Sequence, residues 1–440
     1  MTAQQFVFSP KRCVGCQACV LGCWMENRPV QTRPWRRVHT FNRGKHPRLP
    51  VFHLSLACHH CEDPACLRSC PVRAYRKDPA TGAVIIDSRR CMGCRYCTWA
   101  CPHDAPQFSP ATGTVEKCTF CQSRLEQGRE PACVARCPVD ALGVEPRTRT
   151  PKPAPYGLLA QELGPSIRIL PELRPPLLAS APPSQGGVAA FSQALLAVPE
   201  PRITLKGEWT LVAFTTILAV LTALMGAAAA GTPIRHPRLL LGAGAAALVL
   251  SGWHLGRPDR AWRALSNLRH SWLSREIALV SLFLGLCAAS LEGAPHHRIL
   301  AWATAAAGLA ALYAVDRVYQ VAVQVGALNF HSAHVLFNGL YLAGILTGFW
   351  PLALAMGLLK LALYLFRKDH FRRLGRGTRR PLSLLRLVFG FGIPALIFGS
   401  PWGVAAAVLG DLVDRCEYYE ELDVPSPARA IHEQMEALTS

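Results

Sequence analysis

The sequence predicts a chain of two unlike halves: a small α+β head followed by an all-α transmembrane bundle of about eight helices. Three observations predict it. Sixteen of the eighteen cysteines fall within the first 137 residues, most of the chain after Trp209 is Leu, Ala, Gly and Val in long uncharged runs, and twelve prolines lie between Pro146 and Pro201. At 440 residues the chain has room for several domains, and halves this different in composition do not share one core. The expected limits are 1–146 for the head, 147–206 for a mostly extended Pro-rich linker, 207–420 for the membrane anchor and 421–440 for a polar C-terminal tail.

The head is defined by four cysteine motifs. Cys13, Cys16, Cys19 and Cys23 form the first and Cys91, Cys94, Cys97 and Cys101 the third, both with the intervals of the bacterial ferredoxin run. The second, Cys58, Cys61, Cys66 and Cys70, is stretched, and the fourth, Cys118, Cys121, Cys133 and Cys137, carries a long insertion. Three cysteines so spaced let one turning loop offer three thiolates to one cubane, while the fourth ligates the neighbouring cluster. The motifs therefore work in pairs. The head reads as a ferredoxin-like fold of two paired two-cluster modules, with four [4Fe-4S] clusters and all sixteen Cys as iron ligands. Structural zinc takes two separated ligand pairs rather than triplets in one loop, and disulfides fit poorly because no secretory signal precedes Cys13. His59 and His60, beside ligands, are expected to support sulfur rather than bind metal. Cys287 and Cys416 are expected to be ordinary buried small residues.

A small repeat, Pro79-Ala-Thr-Gly-Ala-Val84 and Pro110-Ala-Thr-Gly-Thr-Val115, follows the second and third motifs. Each copy is expected to tip a hairpin, because Pro early in a turn and Gly soon after suit the backbone of a tight turn.

Eight apolar segments follow the linker: 209–230, 239–256, 277–291, 299–315, 331–349, 351–366, 387–398 and 402–413. Several are shorter than the roughly 20 residues a straight helix needs to cross the hydrocarbon. The last two could be one helix, but Pro394, Gly399 and Pro401 favour a hairpin. The dense Gly and Ala of 243–247 and 304–308 suit close helix packing in lipid. A net charge of +19 raises nucleic acid as a partner. No recognised basic motif accompanies it, and much of it lies in short loops between apolar runs, so nucleic-acid binding is excluded.

The head resembles the four-cluster electron-transfer subunit of the dimethyl sulfoxide reductase group of molybdenum enzymes. The resemblance rests on Cys13-Val-Gly-Cys-Gln-Ala-Cys19, Cys58-His-His-Cys-Glu-Asp-Pro-Ala-Cys66, Cys91-Met-Gly-Cys-Arg-Tyr-Cys-Thr-Trp-Ala-Cys-Pro102 and Lys117-Cys-Thr-Phe-Cys121. More loosely, the second half is similar to the eight-span menaquinol-binding anchor of that group, through Glu208-Trp209, Trp253-His-Leu-Gly256, Arg260-Ala-Trp262, Ser274-Arg-Glu-Ile277, Arg317-Val-Tyr319 and Gly410-Asp-Leu-Val-Asp-Arg415. The two subunits look fused here. The pairing carried over from related two-cluster modules puts Cys13, Cys16, Cys19 and Cys137 on one cluster and Cys118, Cys121, Cys133 and Cys23 on its partner. It likewise joins Cys58, Cys61 and Cys66 with Cys101, and Cys91, Cys94 and Cys97 with Cys70.

The resemblance implies a separate catalytic subunit carrying a molybdenum or tungsten pterin, with electrons passing between it and menaquinone or ubiquinone through the clusters. Quinol oxidation releases protons, so its site needs a group that titrates near neutrality. His254, closing the second span, is such a group and matches the family's quinone-site His. Glu276, opening the third span, matches an acidic residue implicated in quinone binding there; pairing with Arg275 is its plainer alternative. Arg260, Arg317, Asp411 and Arg415 are expected to brace helices or steer the head, and Lys360 to snorkel or pair with a carboxylate. A haem-b anchor would need His on facing helices, whereas His331 and His334 are expected three apart on one helix, which disfavours haem. A redox-driven ion pump or a pure scaffold is the third class.

With eight spans, the head, the tail and the loops 257–276 and 367–386 share one side. Those loops carry five and eight Lys or Arg, so the charge rule puts the head in the cytoplasm of a multi-pass protein of the cell inner membrane. The resemblance also allows a head carried to the periplasm by an exported partner.

Overall fold

A computed structural model describes residues 3–27, 34–42, 51–147, 161–170, 203–292, 298–321, 329–373, 380–421 and 426–427. The chain divides into two compact units, Met1–Pro201 with Pro425–Ser440, and Arg202–Val424.

The first unit holds only short elements, because its cysteine loops interrupt every run. Strand β1 (Gln4–Phe8) is central, with β8 (Leu142–Pro146) antiparallel on one side and β9 (Ile167–Ile169) parallel on the other. The register pairs Phe6 with Val144 and with Ile167, and Phe6, Phe8, Leu142, Ile167 and Ile169 meet in the core with Leu54 and Phe120. Burying each such side chain contributes about 1.5–3 kcal/mol. Strand β9 lies inside the stretch expected to be an extended linker; of that stretch up to 202, only 147 and 161–170 are described.

Strands β2 (Arg37–Phe41) and β3 (Phe52–Leu56) form an antiparallel pair, and both repeat copies tip hairpins. These are β4 (Tyr75–Lys77) with β5 (Val84–Ile86), and β6 (Gln107–Ser109) with β7 (Thr114–Glu116). In the first, Asp78 Oδ1 accepts the backbone N–H of Ala80 at 3.1 Å and of Thr81 at 2.8 Å. Gly82 and Gly113, at φ +75° and +66°, supply the left-handed turn residue. Short helices α1 (Ala18–Asn27), α2 (Ala65–Ser69), α3 (Tyr96–Ala100), α4 (Gln122–Glu126) and α5 (Ala132–Ala135) follow from the cysteine loops.

The second unit is helical. Its elements are α6 (Leu205–Ala229), α7 (Pro237–Trp253), α8 (Trp272–Glu292), α9 (Arg298–Tyr319), α10 (Val335–Leu346), α11 (Trp350–Arg373), α12 (Arg380–Leu387), α13 (Ile393–Leu396) and α14 (Pro401–Glu421). Thr204 caps α6 by accepting the Gly207 N–H at 3.2 Å, and Ser400 caps α14 by accepting that of Gly403 at 3.0 Å. Among the described residues, α6, α8, α9 and α11 are long and apolar enough to cross a membrane. A fifth span results if α7 counts with the 3₁₀ helix Pro258–Asn267, from which it is bent by 93°. The residue before Pro258, Arg257, stands outside the helical region at ψ 76°, so the two helices do not run on as one. All eight expected segments contain helix, but α10 has 12 residues, about 18 Å of rise, well short of the hydrocarbon thickness.

Residues 387–413 form a hairpin rather than one helix. A π-helical turn, Val388–Gly392, leads through α13 to a break at Ile397, and α14 returns along it. A Cβ on Gly410 would stand 2.3 Å from the Gly390 backbone, so this crossing tolerates no side chain. Gly308 serves the Ala-rich stretch of α9 in the same way, with Phe283 and Thr222 each 2.8 Å from where its Cβ would be.

Candidate functional site

The four cysteine loops share one backbone device. The residue two places after the first Cys of each motif is left-handed: Gly15 at φ +70°, His60 at +43°, Gly93 at +71° and Phe120 at +63°. This turns its N–H back onto that Cys, at 3.4 Å from Sγ for His60, Gly93 and Phe120. Three residues after the fourth Cys the chain is left-handed again, at Arg73, Asp104 and Asp140. The next N–H then reaches Sγ at 3.3 Å, from Ala74 to Cys70 and from Ala141 to Cys137. Non-glycine residues in this region cost about 1–3 kcal/mol each. Repeated strain of that kind implies that the N–H groups must point at sulfur, where they stabilise thiolate charge.

The fold brings thiols from different motifs together. Cys13 is within electrostatic reach of Cys19, Cys137 and Cys16, and Cys23 of Cys133 and Cys121. Asn27 Nδ2 lies 3.8 Å from Sγ of both Cys23 and Cys121. Cys61 faces Cys58 and Cys101, and Cys94 faces Cys70 and Cys91. Cys58, Cys61, Cys66 and Cys101 line one cavity together with Lys117 and His103.

These residues fit an iron-sulfur cluster. Among the described residues, no three His, Cys, Asp or Glu side chains converge on a single-ion position, whereas a cubane spaces its thiolates around several atoms. His59 lines the same cavity, and both its ring nitrogens are buried without a hydrogen-bond partner, an orphaned polar group that a cluster sulfur would satisfy. Burial, with Cys133 beside it, pushes the Cys23 thiol up to about 12, so in the bare chain it keeps its proton and metal binding must displace it. The other His of the pair supports the fold: His60 Nδ1 accepts the Val84 N–H at 3.0 Å, and its ring stacks on Phe120.

Two buried cations lie among the thiols: Arg36, which the sequence reading does not name, and Lys117, which it quotes without a role. Arg36, 1% exposed, donates to Ser55 O at 3.2 Å and Oγ at 3.1 Å and lies near Cys133, Cys118, Cys19 and Cys23. Lys117 Nζ donates to Cys58 Sγ at 3.4 Å. Nothing in the residues around Arg36 marks it; Lys117 directly precedes a motif Cys, which is a usable signal.

In the helical unit, His254 is half-buried at the C-terminal end of α7, at the 93° bend. Glu276 is buried in α8 and faces Asp316 of α9 and Arg415 of α14. Arg275 instead donates to the carbonyls of Leu268 and Arg269 at 2.8 and 2.7 Å. His331 and His334 do not lie on one helix, as expected, but in the turn before α10, where their rings still stack at 4.2 Å. The turn forms because Asp316 captures the Val335 and Leu336 N–H groups, at 2.8 and 3.0 Å, and so starts the helix later. Both ring nitrogens of His334 are engaged, Nδ1 with Asp316 at 3.1 Å and Nε2 with Asn329 O at 2.8 Å. Lys360 pairs with Asp411 instead of snorkelling, and Arg386 bridges Asp411 and Asp414 at 3.3 and 3.2 Å.

Two family models match the chain: a 4Fe-4S dicluster domain over residues 49–147, and the DMSO reductase anchor subunit (DmsC) over residues 207–365. The anaerobic dimethyl sulfoxide reductase of Haemophilus influenzae has a component 38% identical over 151 residues, 32% of this chain and 73% of the relative. The chain belongs to the family of dimethyl sulfoxide reductase iron-sulfur subunits. The Escherichia coli counterpart is 37% identical over 155 residues, 33% of this chain and 75% of its own. A sulfite dehydrogenase component of Allochromatium vinosum is 36% identical over 162 residues, 32% and 68% of the two chains. As a member of the dimethyl sulfoxide reductase family, the chain is an iron-sulfur electron-transfer subunit fused to a membrane-integral anchor.

Proposed function

We propose that this chain carries electrons through four [4Fe-4S] clusters between the membrane quinone pool, menaquinone or ubiquinone, and a separate molybdenum or tungsten pterin subunit. The partner would be an S- or N-oxide reductase or a related sulfur-compound oxidoreductase of anaerobic respiration. The observation that carries this reading is that thiols from one motif meet the fourth Cys of another, as when Cys101 joins Cys58, Cys61 and Cys66 around one cavity. The ligand sets are those given by the carried-over pairing. Bound there, the clusters supply one-electron carriers. The chain's own residues hold them by sixteen thiolates and aim backbone N–H groups at sulfur.

His254 and Glu276 are the proposed quinone-site residues, His254 as proton acceptor and Glu276 as the inward-facing carboxylate. Support comes from the buried polar series Glu276, Asp316, His334 and Arg415, since ionisable groups at membrane depth are rarely retained without a role. The proposed domain limits stay at 1–146, 147–206, 207–420 and 421–440, with eight spans in the inner membrane and the head on the cytoplasmic side. Direction of flow follows the partner's substrate, so a quinone-reducing dehydrogenase is the same machine reversed.

Iron and labile-sulfide analysis of the purified complex tests the reading, with about four of each per cluster expected. Zinc in their place would end it. Protease access to the linker in spheroplasts decides the side.

A further inference from the structure

We infer that Lys117 is a potential-setting residue shared by two clusters, its ammonium held against a thiol of one set while its own peptide unit is bonded to a ligand of another. This rests on the four-cluster reading above. Lys117 is 1% exposed, and its Nζ donates to Cys58 Sγ at 3.4 Å, to the Cys118 carbonyl at 3.0 Å and to the Val84 carbonyl. An ammonium has three N–H groups, so these partners use all of them and fix the charge in place. The ammonium lines the cavity of Cys58, Cys61, Cys66 and Cys101, while Cys118 belongs to the set with Cys121, Cys133 and Cys23. The thiols of Cys58 and Cys118 are themselves within electrostatic reach of each other, so Lys117 stands where the two sets adjoin.

Burial here must be explained. A lysine charge taken out of water is costly unless it is paired, and the partners found among its contacts are two neutral carbonyls and a cysteine sulfur. The sulfur becomes a counter-charge only as a thiolate, the form in which a cluster holds it. The charge is thus matched to a loaded cavity, and most strongly to a reduced cluster. One-electron reduction adds one negative charge to the cluster and moves no proton on Lys117, so the fixed cation favours the reduced state and raises the potential. Lys117 is buried, and buried charges are screened far less than exposed ones. The direct contact with Cys58 makes the larger effect fall on that cluster and the smaller on the Cys118 set.

The test is a redox titration, followed by electron paramagnetic resonance, of the whole membrane complex with dithionite as reductant, comparing Lys117→Met and Lys117→Arg with the unaltered chain. Lys117→Met is expected to lower the ratio of reduced to oxidised cluster at a fixed potential by tenfold or more for one signal, 59 mV for a one-electron couple. A second signal should shift less, the other two should stay, and Lys117→Arg should restore most of the loss. Four intact signals with unmoved midpoints in Lys117→Met would overturn the inference alone. If that variant fails to assemble, the unaltered complex labelled with [ε-¹⁵N]lysine decides by pulsed resonance. A ¹⁵N coupling to a reduced cluster supports the contact, and its absence overturns it. Fewer than four clusters in the unaltered complex would instead defeat the four-cluster reading, and this assignment with it.

Discussion

Arg367 Nη2 lies 2.8 Å from Asp414 Oδ1, both side chains fully enclosed, with α11 supplying the cation and α14 the anion. Asp414 also receives Ser332 Oγ at 3.0 Å and Arg386 Nη2 at 3.2 Å. Removing the carboxylate strips two buried guanidinium groups of a shared partner, leaving Arg367 with Glu421 and Arg386 with Asp411, and breaking a buried pair costs up to about 3–5 kcal/mol. Asp414→Ala is expected to lower the thermal midpoint of the anchor in detergent while the head keeps its cluster signals. An unchanged midpoint would show that the pair is energetically idle.

His254→Ala is expected to abolish reduction of the clusters by added quinol. Dithionite should still reduce all of them, since the head is untouched. Glu276→Gln tests the second group; its isosteric amide keeps the packing, so a loss of quinol-driven reduction would reflect the carboxylate and not a cavity. Quinol turnover unaltered in both variants would move the site elsewhere.

Replacing Cys13 with Ser is expected to disturb one cluster directly, along with at most the neighbour that shares its loop. Cys13 is grouped with Cys16, Cys19 and Cys137, and α1 carries both Cys19 and Cys23. The spectrum of the purified variant checks this. Loss of every cluster would assign Cys13 to folding of the head as a whole.

Asp78 gives a pH dependence of known sign. The Thr81 backbone N–H above all, with its hydroxyl and the Ala80 N–H, holds the Asp78 carboxyl below its ordinary value of 3.8. A folded value depressed below the unfolded one stabilises the protein above the unfolded pKa, and that gain fades as the pH falls below it. Asp78→Asn should therefore narrow the gap to the unaltered head in acid unfolding curves as the pH drops below about 4. A gap that widens instead would contradict the assigned hydrogen bonds.

Local chemistry was legible in advance, and long-range pairing of charges was not. The hairpins at Pro79–Val84 and Pro110–Val115 follow from turn residues whose backbone demands are local. The meeting of Cys101 with the second motif came from a resemblance, because loop spacing reveals three ligands of a cluster and conceals the fourth. Strand β9 was hidden because Ile167-Arg-Ile169 is too short a run to register amid prolines. The left-handed positions of His60 and Phe120 carry no glycine to announce them. The 12-residue α10 was expected to start at His331, and only the capture of its first N–H groups by Asp316, from another helix, shows why it does not. Lys360 looked isolated in its own segment for the same reason: its partner Asp411 is 51 residues away.

The order in which the anchor's charges leave the ribosome has a consequence for assembly. Lys360, Arg367 and Arg386 are synthesised first, and their carboxylates Asp411 and Asp414 arrive only with α14. Until then three cations would have to stay in contact with water or the insertion machinery, because lipid offers them no counter-ion. These pairs can therefore close only once α14 has been made, and a chain ending before residue 401 would hold the three cations without Asp411 and Asp414.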